Sequence, residues 1–439
     1  MADVSFHDLS TTRVIPAELL TRSVADLTAF CDRAGPIIAA VRAEGDAALQ
    51  RYARLYDGVT AERMSVRAEP EEFEAAERSV PAPVVEAIRR ASDNIRRFHE
   101  AQKPEEMWLK EMAPGVWAGD RLVPIDSVAC YVPRGKGAFP SVLNMTAIPA
   151  RVAGVPRTIV ITPPGPDGRV DAGTLVAARH AGITEVYKCG GAQGVAAVAY
   201  GTATVPKCLK IVGPGSPWVL AAKRLLADVI DPGIAAGPSE SIVLADEGAN
   251  GALAALDLLI EAEHGPDSCA FLVTPSRAVA EAALAALPGY WRDMDPQRAD
   301  FSRRVLTGAS GGIVLTRDFG AAIDFVNEYA PEHLELLAAD PMSVLGRIRN
   351  AGEVLIGEYT PITLGNYVLG VNAVLPTGRQ ARTASPLSVY DFMKRISVGY
   401  VTKHGYPSLA ADAECLATYE GFSAHARAVS TLRRRLLEF

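Results

Sequence analysis

The stretch Asp126-Ser-Val-Ala-Cys-Tyr-Val-Pro-Arg-Gly-Lys-Gly-Ala-Phe139 is a short apolar run closed by a proline and a glycine-rich turn. A run of that length and composition reads as a buried strand. The strand is placed at Ser127–Val132, and its texture returns at Thr158–Thr162, Glu185–Cys189, Leu209–Val212, Ser241–Ala245, Ala270–Thr274, Ile313–Leu315 and Val354–Ile356. Ala-rich segments with helical spacing lie between them, at Gly173–Ala181, Val195–Tyr200, Trp218–Leu226, Ala278–Ala286 and Ala321–Glu328. Alternation of this kind predicts βαβ units and parallel, doubly wound sheets. Eight such strands suit two α/β halves better than one sheet or a barrel.

Working outward, Ile37, Val41, Ala47, Leu49, Tyr52 and Leu55 return at helical spacing until Asp57-Gly58. A second helix is expected over Pro83–Gln102, with Val84, Ile88, Ala91, Ile95 and Phe98 on one side; His99 beside that stripe is given no role. Residues 1–25 read as an irregular arm. At the other end Val389–Phe439 reads as helical, and Arg433-Arg434-Arg435 as a solvated helix end.

Composition narrows the function. The chain has 439 residues, 49% of them hydrophobic, and a formal net charge of −7. Its basic residues form no stripe with interleaved aromatics, which argues against nucleic acid. No apolar run reaches membrane-spanning length and the N-terminus lacks signal-peptide shape. The six cysteines are scattered with no Cys-x-x-Cys, so a reducing, cytoplasmic setting is expected.

No Gly-x-Gly-x-x-Gly follows the first strand. Three strand ends carry glycine-rich turns instead: Tyr131–Phe139, Cys189-Gly-Gly-Ala-Gln-Gly194 and Val212-Gly-Pro-Gly-Ser-Pro217. Glycine there lets backbone approach a ligand, and the following helix offers free N–H groups to an anion. Tight strand–helix connections also use glycine.

The chemistry-bearing residues come in four spots. In Asp257-Leu-Leu-Ile-Glu-Ala-Glu-His-Gly-Pro-Asp-Ser268, Glu261 and His264 stand three apart near a helix end. A carboxylate and an imidazole at that spacing can share a divalent metal; a surface Glu and a helix-terminal His are the plain alternative. Tyr329-Ala-Pro-Glu-His-Leu-Glu335 sets Glu332 beside His333, expected at a helix start. Glu358–Tyr367 is expected as a loop ending in Asn366 and Tyr367, and Tyr419–His425 places Glu420 and His425 in the helical tail.

Together with Ala147-Ile-Pro-Ala-Arg-Val-Ala-Gly-Val155, Gly190-Gly-Ala-Gln193, Ile211-Val-Gly-Pro-Gly215, Ala236-Gly-Pro-Ser-Glu240 and Val374-Leu-Pro-Thr377, these segments resemble histidinol dehydrogenase over nearly the whole chain. The resemblance implies an α/β fold of two incomplete Rossmann-like doubly wound domains, a helical N-terminal segment and a helical, swapped C-terminal tail. It divides the chain into an arm (1–25), a discontinuous first domain (26–125 plus 240–380), an NAD-binding second domain (126–239) and a tail (381–439) that completes the partner's site in a homodimer. It further implies zinc- and NAD-dependent oxidation of a primary alcohol through the aldehyde to the acid. Zinc would be held by Glu261, His264, Asn366 and His425. Glu332 and His333 would be the acid–base pair, with Ser239, Tyr367 and Glu420 at the substrate and Tyr131, Gln193 and Ser216 at NAD.

The chain departs from the family at several of these positions. Glu261 and Asn366 stand where Gln and Asp are usual, a reciprocal exchange that keeps the summed ligand charge. Ala373 replaces a substrate-side His, Ser216 an Asn, and Arg134 a turn Gly. A lost imidazole opens space and removes a polar contact, which shifts specificity. The alternatives to histidinol oxidation are therefore a paralogue acting on another amino, sulfo or hydroxy alcohol and, more remotely, a non-catalytic nucleotide-binding protein.

Overall fold

Ser127–Tyr131 is buried at all five positions, and Glu240–Ala245 and Cys269–Thr274 at all six. Strands covered on both faces by helices require such uninterrupted apolar runs. The architecture comes from a computed structural model that describes residues 4–12, 14–22, 26–62, 64–135 and 137–438. Lys136 of the first glycine-rich turn lies outside the described residues.

The chain forms two units, Met1–Lys103 with Ile125–Phe392, and Pro104–Pro124 with Met393–Phe439. The first begins with β1 (Phe6–Leu9), α1 (Thr28–Glu44), α2 (Asp46–Tyr56), α3 (Pro70–Ser79) and α4 (Ala82–Gln102). Strands β2 (Met107–Ala113) and β3 (Val116–Pro124) belong to the second unit. The first unit resumes with β4 (Ser127–Tyr131), α5 (Pro140–Ala153), β5 (Arg157–Thr162), α6 (Ala172–His180), β6 (Val186–Lys188), α7 (Gly191–Tyr200), β7 (Lys210–Val212) and α8 (Pro217–Leu225).

Next come β8 (Glu240–Ala245), α9 (Gly251–Ala262), β9 (Cys269–Thr274), α10 (Arg277–Asp293), α11 (Pro296–Leu306), β10 (Gly311–Thr316) and α12 (Phe319–Tyr329). The unit closes with β11 (His333–Leu337), α13 (Pro341–Leu345), β12 (Glu353–Ile356) and α14 (Ile362–Tyr367). The second unit ends with β13 (Met393–Val401), α15 (Tyr406–Tyr419), α16 (Ser423–Val429) and α17 (Thr431–Leu436).

Both sheets of the first unit are wholly parallel. One has the order β6-β5-β4-β7 and the other β1-β10-β9-β8-β11-β12. Two doubly wound halves are thus present, as the alternation predicts. The second unit carries an antiparallel sheet, β13-β3-β2.

Four readings are corrected. The arm contributes an edge strand, β1, whose Phe6 pairs with Ile313. His333 opens a strand, not a helix, because both edges of β11 are taken by β8 and β12. The start of the tail, expected as helical, is strand β13, which pairs with β3 of the segment 104–124, a segment given no element from sequence; every position of β2 is exposed, so no apolar run marks it. Finally, the early helices pack on the four-stranded sheet rather than with 240–380. Ile37, Ile38, Val41 and Leu49 share a core with Ala129, Ile159, Val195 and Ile211, while α3 and α4 lie against α5 and α6.

Among the described residues, no helix is long and apolar enough to cross a membrane.

Candidate functional site

Parallel strands that start in register bring their first residues to one edge. In the six-stranded sheet Ser241 pairs with His333 and His333 with Glu353, so the polar residues heading β8, β11 and β12 gather at its N-terminal edge. The helices return antiparallel to the strands, which carries the C-terminal end of α9 to the same edge. Asn250 starts that helix by accepting from the backbone N–H groups of Ala252 and Leu253.

His333 Nδ1 lies 2.6 Å from Oε1 of Glu353, and both side chains are buried. Its Nε2 is 3.8 Å from Oε2 of Glu332, which accepts the backbone N–H of Glu240 at 2.9 Å. The turn ahead of this pair is strained: Ala330 has φ 55°, a left-handed conformation that a non-glycine residue holds only when its surroundings force it. Arg22 supplies part of that force. Its guanidinium stacks 3.6 Å from the centroid of Tyr329 and donates to the Tyr329 carbonyl at 2.7 Å. Its Nε also lies 2.9 Å from the Glu240 carboxylate.

On α9, Oε2 of Glu261 sits 2.6 Å from Nδ1 of His264, and Oε1 accepts from the Asn366 amide at 2.8 Å. The His264 contact is too poorly aligned for a hydrogen bond, leaving Nδ1 buried without one. Asn366 lies on α14, a short helix where a loop was expected. Among the described residues no cluster of three or more His, Cys, Asp and Glu side chains is arranged to hold a metal. The imidazole and the amide nevertheless each lie within 3 Å of one oxygen of the Glu261 carboxylate, and an amide turned about its axis offers oxygen instead of N–H. These three donors fit a divalent cation that takes further ligands from elsewhere.

The electrostatics are those of desolvated charges brought together. Burial acts to raise the Glu261 carboxyl, but the pull of His264 and His333 outweighs it and sets it at about 2. Burial acts to lower His333, and the surrounding Glu261, Glu332 and Glu353 overcome it, pushing the imidazole up to about 10. Glu332 is raised too, but by burial, which holds its carboxyl well above the ordinary range despite His333 beside it. A bound cation would change this balance by replacing protons as the counter-charge.

The four-stranded sheet presents its glycine-rich turns at its C-terminal edge, where doubly wound sheets bind nucleotides. Tyr131 ends β4, but its hydroxyl is buried and accepts the N–H of Gly191 at 3.1 Å, so it braces the turn. Gln193 is buried on α7, and Ser216 is exposed at the start of α8. A Cβ on Gly213 would meet the Tyr131 carbonyl at 2.2 Å, so only glycine lets these two turns touch. Arg134 donates to the Arg169 carbonyl at 3.1 Å.

Of the expected substrate residues, Ser239 precedes β8 and is half-buried, while Tyr367 ends α14 and is 53% exposed. Ala373 is held by its neighbour: Asn372 donates to the Met145 carbonyl at 2.7 Å and meets Nε2 of His99 at 3.2 Å. His99 is therefore a buried structural residue. Glu420 and His425 belong to the second unit, both exposed, with the His425 ring 5.3 Å from that of Phe422. A cavity of about 760 Å³ borders Gly352 and Glu353 but none of Glu261, His264, Glu332 or His333; the side-chain chemistry, not the volume, locates the site.

Two buried residues at this edge were given no role by the sequence reading, Glu353 against His333 and Glu240 against Arg22. Glu353 stands one position before an expected strand, and the unread strand β11 hid its partner.

The chain as a whole is similar to known proteins. Residues 20–433 match the family model for histidinol dehydrogenase. Histidinol dehydrogenase homolog 2 of Mesorhizobium japonicum is 61% identical, covering 100% of both chains. Histidinol dehydrogenase of Synechocystis is 49% identical over 94% of this chain and 95% of its own. The crystal structure of histidinol dehydrogenase from Elizabethkingia anophelis superposes with a TM-score of 0.92 at 30% identity, covering 99% of each. The chain belongs to the histidinol dehydrogenase family.

Proposed function

We propose that the protein oxidises a polar primary alcohol through the aldehyde to the carboxylate, with two molecules of NAD accepting the electrons. The observation that carries this reading is the buried Glu332–His333 pair at the same sheet edge as Glu261, His264 and Asn366. His425 of a second copy is the proposed fourth donor, so the functional form is a homodimer with a swapped tail. When bound, zinc on these donors polarises the substrate oxygen, and NAD along the glycine-rich turns near Tyr131, Gln193 and Ser216 accepts hydride.

His333 takes the hydroxyl proton at Nε2, since Nδ1 is engaged by Glu353; a cation held by Glu261 would offset the carboxylate charge that otherwise keeps the imidazole protonated. Glu332 in its ionised form takes a proton from water as that water adds to the aldehyde carbonyl. His333 returns its proton to the carbonyl oxygen during that addition, and takes a hydroxyl proton again as the resulting hydrate loses the reaction's second hydride. Burial disfavours charge on Glu332, so the neighbouring cations are what ionise it. Holding the aldehyde between the two steps explains why one site performs both. Ser239, Tyr367 and Glu420 would line the substrate pocket.

A second reading of the substrate is favoured by Ala373, Glu261 and Asn366 in place of the family's usual residues. Relatives at 61% and 63% identity carry the name homolog, whereas the Synechocystis protein named plainly for histidinol is 49% identical. The test is NADH formation by zinc-loaded protein with L-histidinol at saturating NAD. Two NADH per histidinol assign that substrate. No turnover, with oxidation of another small amino, sulfo or hydroxy alcohol, assigns the paralogue; no alcohol oxidised at all would refute the reading.

A further inference from the structure

We propose that Glu353 is a positioning residue for the reaction, holding His333 in the tautomer whose Nε2 is free to accept the substrate proton. This rests on the proposed role of His333 as the base. In neutral imidazole one nitrogen donates and the other accepts, and the hydrogen bond made by the first decides which is which. Nδ1 of His333 faces Oε1 of Glu353 at 2.6 Å inside the protein. A carboxylate there accepts the Nδ1 proton, so the lone pair falls on Nε2, the nitrogen directed to Glu332.

The chain is built to put that carboxylate in place. Gly352 makes β12 approach the turn before β11 so closely that a Cβ would lie 2.5 Å from the Glu332 carbonyl. Its N–H donates to the Pro331 carbonyl at 2.9 Å, and that of Glu353 to the Glu332 carbonyl at 3.0 Å. Those two bonds set the register that faces Glu353 with His333. On the far side, a Cβ on Gly365 would meet both carboxylate oxygens of Glu353 at 3.2 and 3.3 Å. Gly365 immediately precedes Asn366, so the glycine that makes room for Glu353 also sets the amide against Glu261.

Oε2 of Glu353 is buried without a hydrogen-bond partner. A purely structural carboxylate left in that state costs more than it returns. An orienting role for the other oxygen accounts for its retention. It also fixes the direction of proton flow: Glu353 keeps no substrate proton, and His333 receives it at Nε2 while Nδ1–H stays on the Glu353 side.

The test compares E353A, E353Q and H333A, singly and as the E353A/H333A double variant, in the zinc-loaded full-length enzyme. With E353A, kcat is expected to fall on the order of 10²-fold with KM nearly unchanged, and the acidic limb of the kcat/KM profile to move to lower pH. E353Q, whose amide oxygen still accepts from Nδ1–H, should restore part of the loss. Adding E353A to H333A should cost nothing further. Proton NMR of wild type should show a low-field imidazole N–H resonance that disappears in both E353A and H333A. An unchanged pH limb and kcat in E353A, or a loss that multiplies with that of H333A, would overturn the positioning role. Unchanged turnover in H333A would instead overturn the base assignment, while the low-field resonance would still report the His333–Glu353 bond.

Discussion

Glu332 and His333 are adjacent in sequence, and one environment raises the proton affinity of both, for different reasons. Burial raises the carboxyl of the first, and three carboxylates raise the imidazole of the second. Buried titratable groups perturbed by specific charged neighbours are a mark of catalytic sites. Replacing Glu332 with Gln keeps the shape but removes the group assigned to water activation. The expected outcome is release of aldehyde with one NADH per alcohol and a drop on the order of 10²–10⁴-fold in acid formation, read by carbonyl trapping beside NADH absorbance; equal acid and aldehyde steps would contradict it. At this scale the sequence was informative where a residue sits in a recognisable segment. Glu261 and Asn366, 105 positions apart, are found in hydrogen-bond contact. Glu353 was invisible because its meaning depends on a register between two strands, one of them unrecognised.

That strand shows what local pattern conveys about an element. Glu332, Leu334, Glu335, Leu336 and Leu337 favour helices, yet pairing on both sides makes the segment extended. Tertiary context overrode propensity. The same strand creates a second charge problem, since Glu335 faces Asp257 of α9 and both are buried. Burial, then Asp257, pushes the Glu335 carboxyl from 4.5 up to about 9. The native state therefore retains a proton that the unfolded chain releases, and stability falls as pH rises from 4.5 to about 9. E335Q removes that dependence. Its melting temperature should exceed that of wild type at pH 8 by several degrees and converge with it near pH 4.5; a pH-independent difference would contradict the pairing.

At the scale of the molecule, the parallel sheets were readable because strands buried on both faces need continuous apolar runs. The antiparallel sheet of the second unit was not: β2 is exposed throughout, and β13 alternates with no apolar block. Helices α1–α4 were grouped with the wrong sheet because amphipathic spacing reveals that a face is buried, not what covers it. The proposed dimer belongs to this scale too. Glu261, His264, Glu332 and His333 lie in one unit, while Glu420 and His425 lie in the other, so the proposed donor set draws on both.

The most direct measurement mixes two inactive variants, H333A and H425A, by dissociating and reassociating zinc-loaded dimers. If His333 and His425 serve one dehydrogenase site and come from different copies, each hybrid dimer has one intact site. About a quarter of wild-type NADH formation should return on equal mixing. Activity in either variant alone, or none after hybrids are shown to form, would contradict the account.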